Sequence, residues 1–170
     1  MGYKAAFFAL AAGMFLLLAA ACGHGRTSSA QETPAPQFGS ATDTFALTLE
    51  NGDGKLTATL SAQGFFDLYQ VAGALGYDSS SLELEKVSQG AFLGTPAEVI
   101  FFQRGEDGRI PFALTKRDIA PGAIGAGVII KAQFRVRGTL PQRAVWVENG
   151  LLARDSQRHK IDAKVEGGAK

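Results

Sequence analysis

Residues 128–137 read VIIKAQFRVR, and this stretch decides the fold. Val128, Ile130, Ala132, Phe134 and Val136 have one parity; Ile129, Lys131, Gln133, Arg135 and Arg137 have the other. Successive side chains of a strand point to opposite faces, so this alternation describes a strand buried on one face and solvated, with a basic stripe, on the other. A helix would need its apolar positions three and four residues apart.

The same period recurs on both sides of it. Phe45, Leu47 and Leu49 alternate with polar or small residues, Asn51-Gly52-Asp53-Gly54 supplies turn residues that accept positive φ, and Leu56, Ala58 and Leu60 resume the pattern, so the pair reads as a hairpin. From residue 68 to 77, Tyr69, Val71, Gly73, Leu75 and Tyr77 share one face, and Gln70, Ala72, Ala74 and Gly76 share the other, which is small and flat. Asp78-Ser79-Ser80-Ser81 breaks the chain before a short strand with Leu82, Leu84 and Val87. Residues 99–102 (VIFF) are apolar on both faces, which means burial on both sides or a face that awaits a partner. Gly105-Glu106-Asp107-Gly108 is a turn, Ile110, Phe112 and Leu114 follow at period two, and residues 121–127 form a glycine-rich connection. Val145 and Val147 oppose Ala144, Trp146 and Glu148, and Ile161, Ala163 and Val165 close the series in phase. No window supports a sizeable amphipathic helix. About nine strands separated by turn signals predict an all-β fold, a nine-stranded jelly-roll-like β-sandwich over residues 43–166, with residues 167–170 a frayed tail.

The N-terminus predicts export. Lys4 precedes an apolar run from Ala5 to Ala21, and Ala19-Ala20-Ala21 gives the small exit residues of a secretory signal over residues 1–21. Cys22, the single cysteine, follows at once, so no disulfide can form within the chain. Leu18-Ala19-Ala20-Ala21-Cys22 resembles the lipobox of bacterial lipoproteins, although Leu18 stands four residues before the cysteine where the family prefers three. The resemblance implies that Cys22 becomes the acylated N-terminus, anchored to a membrane at the outer membrane or cell surface. A plain signal peptide that leaves a free thiol and an uncleaved anchor helix are the alternatives. Residues 22–42, rich in Gly, Ser, Thr, Gln and Pro, read as a flexible tether.

Net charge is +1, which argues against a nucleic-acid partner. His24 and His159 lack partners at ligand spacing, so no zinc site is expected, and no other cofactor is. Asn51-x-Asp53-Gly54 lacks the remaining oxygen ligands of a calcium loop and reads as a turn, as does Glu106-Asp107. Ser79-Ser80-Ser81 has no base beside it. With no paired carboxylates, triad or metal cluster, the chain is expected not to be an enzyme.

The middle of the domain resembles the cohesin family, the β-sandwich modules of bacterial cellulosomes. Val71 to Asp78 followed by Ser81-Leu82-Glu83-Leu84 is similar to that family's strand ending in Tyr-Asp, its turn and its Leu-Glu-Leu. Residues 87–93 (VSQGAFL) resemble its corner, and Gly125-Ala126-Gly127 running into Lys131-Ala132-Gln133-Phe134 resembles its glycine-flanked strand. The resemblance implies protein binding: one sheet face meets a dockerin, a small calcium-binding helical module on another protein. By strand order, that face would carry Gln70, Ala72, Ala74, Ile100, Phe102, Arg109, Pro111 and Trp146 as the partner-binding residues. The residues alone leave open whether Ile100 and Phe102 or Val99 and Phe101 point outward. The implied partner is an exported protein, dockerin-bearing or of another kind. Related sandwiches bind polysaccharide on exposed aromatic residues, so a carbohydrate-binding module is the alternative, with Trp146 its defensible aromatic.

Overall fold

The computed structural model describes residues 42–167. The signal-like segment, Cys22, His24, nearly all of the tether and residues 168–170 lie outside the described residues. Ten strands are seen: β1 (Thr44–Gly52), β2 (Lys55–Leu68), β3 (Gln70–Tyr77), β4 (Leu82–Gln89), β5 (Val99–Gln103), β6 (Arg109–Lys116), β7 (Ala123–Val136), β8 (Val145–Arg154), β9 (Lys160–Ile161) and β10 (Lys164–Gly167). They form two five-stranded sheets, ordered β10-β1-β2-β7-β4 and β5-β6-β3-β8-β9. The fold is therefore an all-β sandwich, with one strand more than the alternation suggests. The additional strand arises at the C-terminus, where residues 159–165 read as one strand. Instead, β9 pairs with β8 in one sheet, and β10 pairs with β1, in parallel, in the other. Asp162 and Ala163 carry the chain between the layers.

The β1–β2 hairpin closes with Gly52 opposite Lys55. Asp53 (φ 53°) and Gly54 (φ 71°) form its tip, and both need the left-handed region that a two-residue hairpin turn demands. Strand β2 runs well past Leu60, where alternation stops. Irregularities between Leu60 and Ser61 and between Ala62 and Phe65 shift the register, with Gly64 at φ 78° inside the second. The segment 121–127 is likewise strand from Ala123 onward, with Gly125 paired to Phe65 and Gly127 to Ala62. The first irregularity also corrects the reading of the central strand: Ser61 pairs with Val128 and Leu60 with Ile130, leaving Ile129 as the bulged residue, and Ile129 and Ile130 are both fully buried.

Between the layers lie Phe45, Leu60, Phe65, Leu75, Ile110 and Phe134, each at most 1% exposed. Phe45 and Phe65 pack at 4.8 Å between ring centroids, and Tyr77 from one sheet meets Phe134 from the other at 5.1 Å. Each such side chain contributes about 1.5–3 kcal/mol by leaving water. The Tyr77 hydroxyl donates to the Glu106 carbonyl at 3.0 Å, so the ring's polar tip is satisfied at the rim of the core. Among the described residues no buried side-chain nitrogen or oxygen lacks a hydrogen-bond partner.

Candidate functional site

The sheet β5-β6-β3-β8-β9 turns one face to the core and one to solvent. Alternation along β3 sets the geometry. Val71 and Leu75 are buried inward, and Gln70, Ala72, Ala74 and Gly76 take the outward parity. Cross-strand pairing extends the outward positions into rows. Arg109 and Trp146 flank Gly76, and Pro111 and Glu148 flank Ala74. Phe102, Ala113, Ala72 and Leu152 form the next row, and Ile100, Thr115, Gln70 and Arg154 the last. The structure thus brings all eight sequence-derived residues onto one face.

On β5 the question left by the sequence is resolved. Val99 is 2% exposed and Phe101 packs on the core, whereas Ile100 is 49% and Phe102 57% exposed. Leu152, 38% exposed, joins them from β8. Large apolar side chains therefore stand on both sides of a floor of Ala72 and Ala113, a surface that a helix could approach closely. Pro111 is tolerated in the inner strand β6 because β5 has ended beside it: the last β5–β6 pair is Gln103 with Phe112. Its carbonyl still accepts from Arg104 at 3.1 Å, and its missing N–H leaves one bond unmade just beyond the end of β5, where Arg104 is exposed.

Two residues behave differently from expectation. Ala74 faces outward but is only 3% exposed. The Arg109 guanidinium reaches across β3 to Glu148, with Nε 2.7 Å from Oε2, and this ion pair roofs that part of the face. The hydrogen bond from Arg109 to Glu148 raises the guanidinium's pKa further. Trp146 is half-buried rather than a free anchor. Its ring lies so close over Gly76 that any Cβ there would collide with it, and the Arg143 guanidinium sits 4.9 Å from its centroid.

Sequence reasoning missed Leu152, Ala113 and Thr115. The last two were readable, since Arg109, Pro111, Ala113 and Thr115 alternate. Leu152 was not: Asn149 (φ 52°) and Gly150 (φ 77°) form an irregularity in which one β3 residue, Gly73, faces three on β8, and the phase is lost.

Other candidate groups have local tasks. The Asp78 carboxylate accepts from the Ser80 hydroxyl at 2.6 Å, the Ser80 N–H at 2.9 Å and the Ser81 hydroxyl at 3.1 Å, which caps a turn and holds the carboxyl below its ordinary pKa. His159 Nδ1 lies 3.2 Å from Asp155, a carboxylate partner that staples the β8–β9 loop. Lys131 is exposed, but Arg135 and Arg137 are engaged by Glu83, and Arg135 and Lys55 by Glu85, at 2.8–3.4 Å. The basic stripe is therefore largely neutralised by β4. Among the described residues no three His, Cys, Asp or Glu side chains cluster as metal ligands.

No family model matches the sequence, and neither does any curated protein. The structure is similar to solved cohesins. A type II cohesin, A11, from Bacteroides cellulosolvens aligns with TM-score 0.64 and 14% identity over 74% of this chain and 96% of that one. The sixth cohesin of Acetivibrio cellulolyticus scaffoldin B, solved in complex with a mutant Cel5 dockerin, aligns with TM-score 0.64 and 18% identity over 73% and 94%. A non-cellulosomal cohesin from the archaeon Archaeoglobus fulgidus gives TM-score 0.62 and 18% identity over 74% and 87%. The described residues of this chain therefore carry the fold of a cohesin module, as a single domain.

Proposed function

We propose that the domain is a non-enzymatic module that binds an exported protein on the outward face of the β5-β6-β3-β8-β9 sheet. The observation that carries this is the exposure of Ile100, Phe102 and Leu152 around a floor of alanines. Large side chains exposed together on an otherwise well-packed sheet mark an interaction surface. Structurally similar cohesins were solved with dockerins bound, which supports a dockerin-like helical partner. The engaged ring of Trp146 weighs against a sugar platform, which needs free aromatic faces. Acylation of Cys22 would hold the module at a membrane, at the outer membrane or cell surface. Through its partner, the module would serve polysaccharide breakdown.

The test is capture of exported proteins on the immobilised chain, with and without a calcium chelator. One protein retained only with calcium supports the dockerin-type reading. Retention of insoluble polysaccharide alone would overturn protein binding. Cys22→Ser is expected to move the chain out of the membrane fraction; unchanged fractionation and mass would refute the anchor.

A further inference from the structure

One end of this face is a pocket of unusual charge. Lys116 and Arg117 at the end of β6, Arg154 at the end of β8 and Arg158 in the following loop line a depression of about 500 Å³, with no carboxylate among its described lining residues. None of the four cations forms a salt bridge with a described residue, although Lys116 lends its charge to Asp67 and Glu98. Elsewhere among the described residues Arg104, Arg109, Arg135 and Arg137 pair with carboxylates and Arg143 stacks on Trp146, so this cluster stands out. Like charges gathered at one site repel, and folding alone gives no reason to keep them together.

The walls are fixed. The Tyr69 N–H donates to the Arg154 carbonyl at 2.9 Å, and the Lys116 N–H donates to the Tyr69 carbonyl at 3.2 Å, which ties both cationic strand ends to one residue. Arg154 Nη1 donates to the Arg158 carbonyl at 3.3 Å. Asp67 accepts from the Ser156 hydroxyl at 2.6 Å and from the Gly122 N–H at 2.5 Å, so it clamps the loops on both sides.

We infer that this pocket seats an acidic segment of the protein partner and fixes the partner's direction on the face; this rests on the protein-binding reading above. Gln70, Thr115 and Leu152 line the pocket and also belong to the face, so one bound chain can span both. Glu98 and Asp118 are exposed on neighbouring segments. An anionic lipid plane would meet those carboxylates, whereas a segment entering from the face over Leu152 meets no carboxylate in the lining of the pocket. Such complementarity sets orientation and association rate.

The probes are an acetylated, amidated tetra-glutamate peptide, its tetra-lysine counterpart and inorganic phosphate. Each is titrated at constant ionic strength into the isotope-labelled full chain in non-ionic detergent and followed by NMR. The expected result is saturable tetra-glutamate binding with shifts at Tyr69, Gln70, Thr115 and Arg154. The double variant Arg154→Glu/Arg158→Glu should weaken it at least ten-fold, and Lys131→Glu, at an exposed position on the opposite sheet, should leave it unchanged. No peptide binding, equal tetra-lysine binding, or tighter binding of phosphate than of peptide would each overturn the inference. Capture of the natural partner separates the two readings. Loss with Ala72→Arg but not with the double variant removes the acidic-segment proposal alone. Loss with the double variant but not with Ala72→Arg removes the apolar-face reading and keeps the pocket.

Discussion

The two outer faces of the sandwich are built on the same backbone pattern and differ in where their apolar side chains stand. On the β10-β1-β2-β7-β4 sheet the middle of the face holds Thr57, Thr59, Lys131, Gln133 and Arg135, its charged rim is satisfied by Glu83 and Glu85, and the exposed Phe66 and Ile124 stand at one end, on β2 and β7. On the β5-β6-β3-β8-β9 sheet the middle of the face holds Ile100, Phe102, Ala72, Ala113 and Leu152, with no side chain of their own to cover them. Charged and hydroxyl side chains across the middle of a face suit water, whereas Ile100, Phe102 and Leu152 standing around alanines in the middle of a face suit contact. The contrast assigns solvation to the middle of the first face and contact to the middle of the second.

Substitutions can break that contrast. Ala72→Arg should have the largest effect, because it drives a long charged side chain up from the floor between Phe102 and Leu152. Partner affinity is expected to fall by more than about 100-fold with the melting temperature little changed, as measured by calorimetric binding and thermal unfolding. Ala72 serves here better than Ala74, which the Arg109–Glu148 pair already covers. Phe102→Ala removes one of the flanking side chains and should weaken capture by about 2 kcal/mol. Unchanged affinity in both variants would move the site off this face.

Asp67→Ala acts on the fold that holds the face. Burial alone would raise this carboxyl, but hydrogen bonds from Ser156 and Gly122 and the charge of Lys116 outweigh it and hold the pKa below its ordinary 3.8. Loss of these bonds should cost about 1–3 kcal/mol of stability. Because the folded value is depressed, the contribution is complete above the ordinary value and disappears as pH falls through the folded one. Acid unfolding curves of the wild type and the variant should therefore converge below pH 3.8. Curves that stay parallel to the lowest pH would rule out this linkage. The smallest effect is expected on the solvated face: Glu83→Gln loosens exposed pairs to Arg135 and Arg137 and should change stability by less than about 1 kcal/mol and capture not at all.

Much of this was legible beforehand, and two of the failures share one cause. Period-two alternation reads out which side chains share a face as long as the strand is regular. It located the outward set on β3 and, on β6, Arg109 and Pro111, and it failed where a bulge changed the phase. Ile129 was misplaced by the irregularity opposite Leu60 and Ser61, and Leu152 was missed behind Asn149 and Gly150. The glycines of residues 123–127 signalled a turn by composition, yet β2 claims them as strand through pairing that no local rule reveals.

The amino-acid sequence by itself determined the all-β class, the hairpin at Asp53-Gly54 and the amphipathic strands, because these follow from local conformational preference and burial. Only the tertiary structure decided that Ile100 and Phe102 point outward, that Arg109 reaches Glu148 over Ala74, and that four cations from β6, β8 and the loop after β8 share one pocket. Those are contacts between residues distant in the chain, and their geometry is fixed by sheet order and register, which alternation within a single strand does not encode.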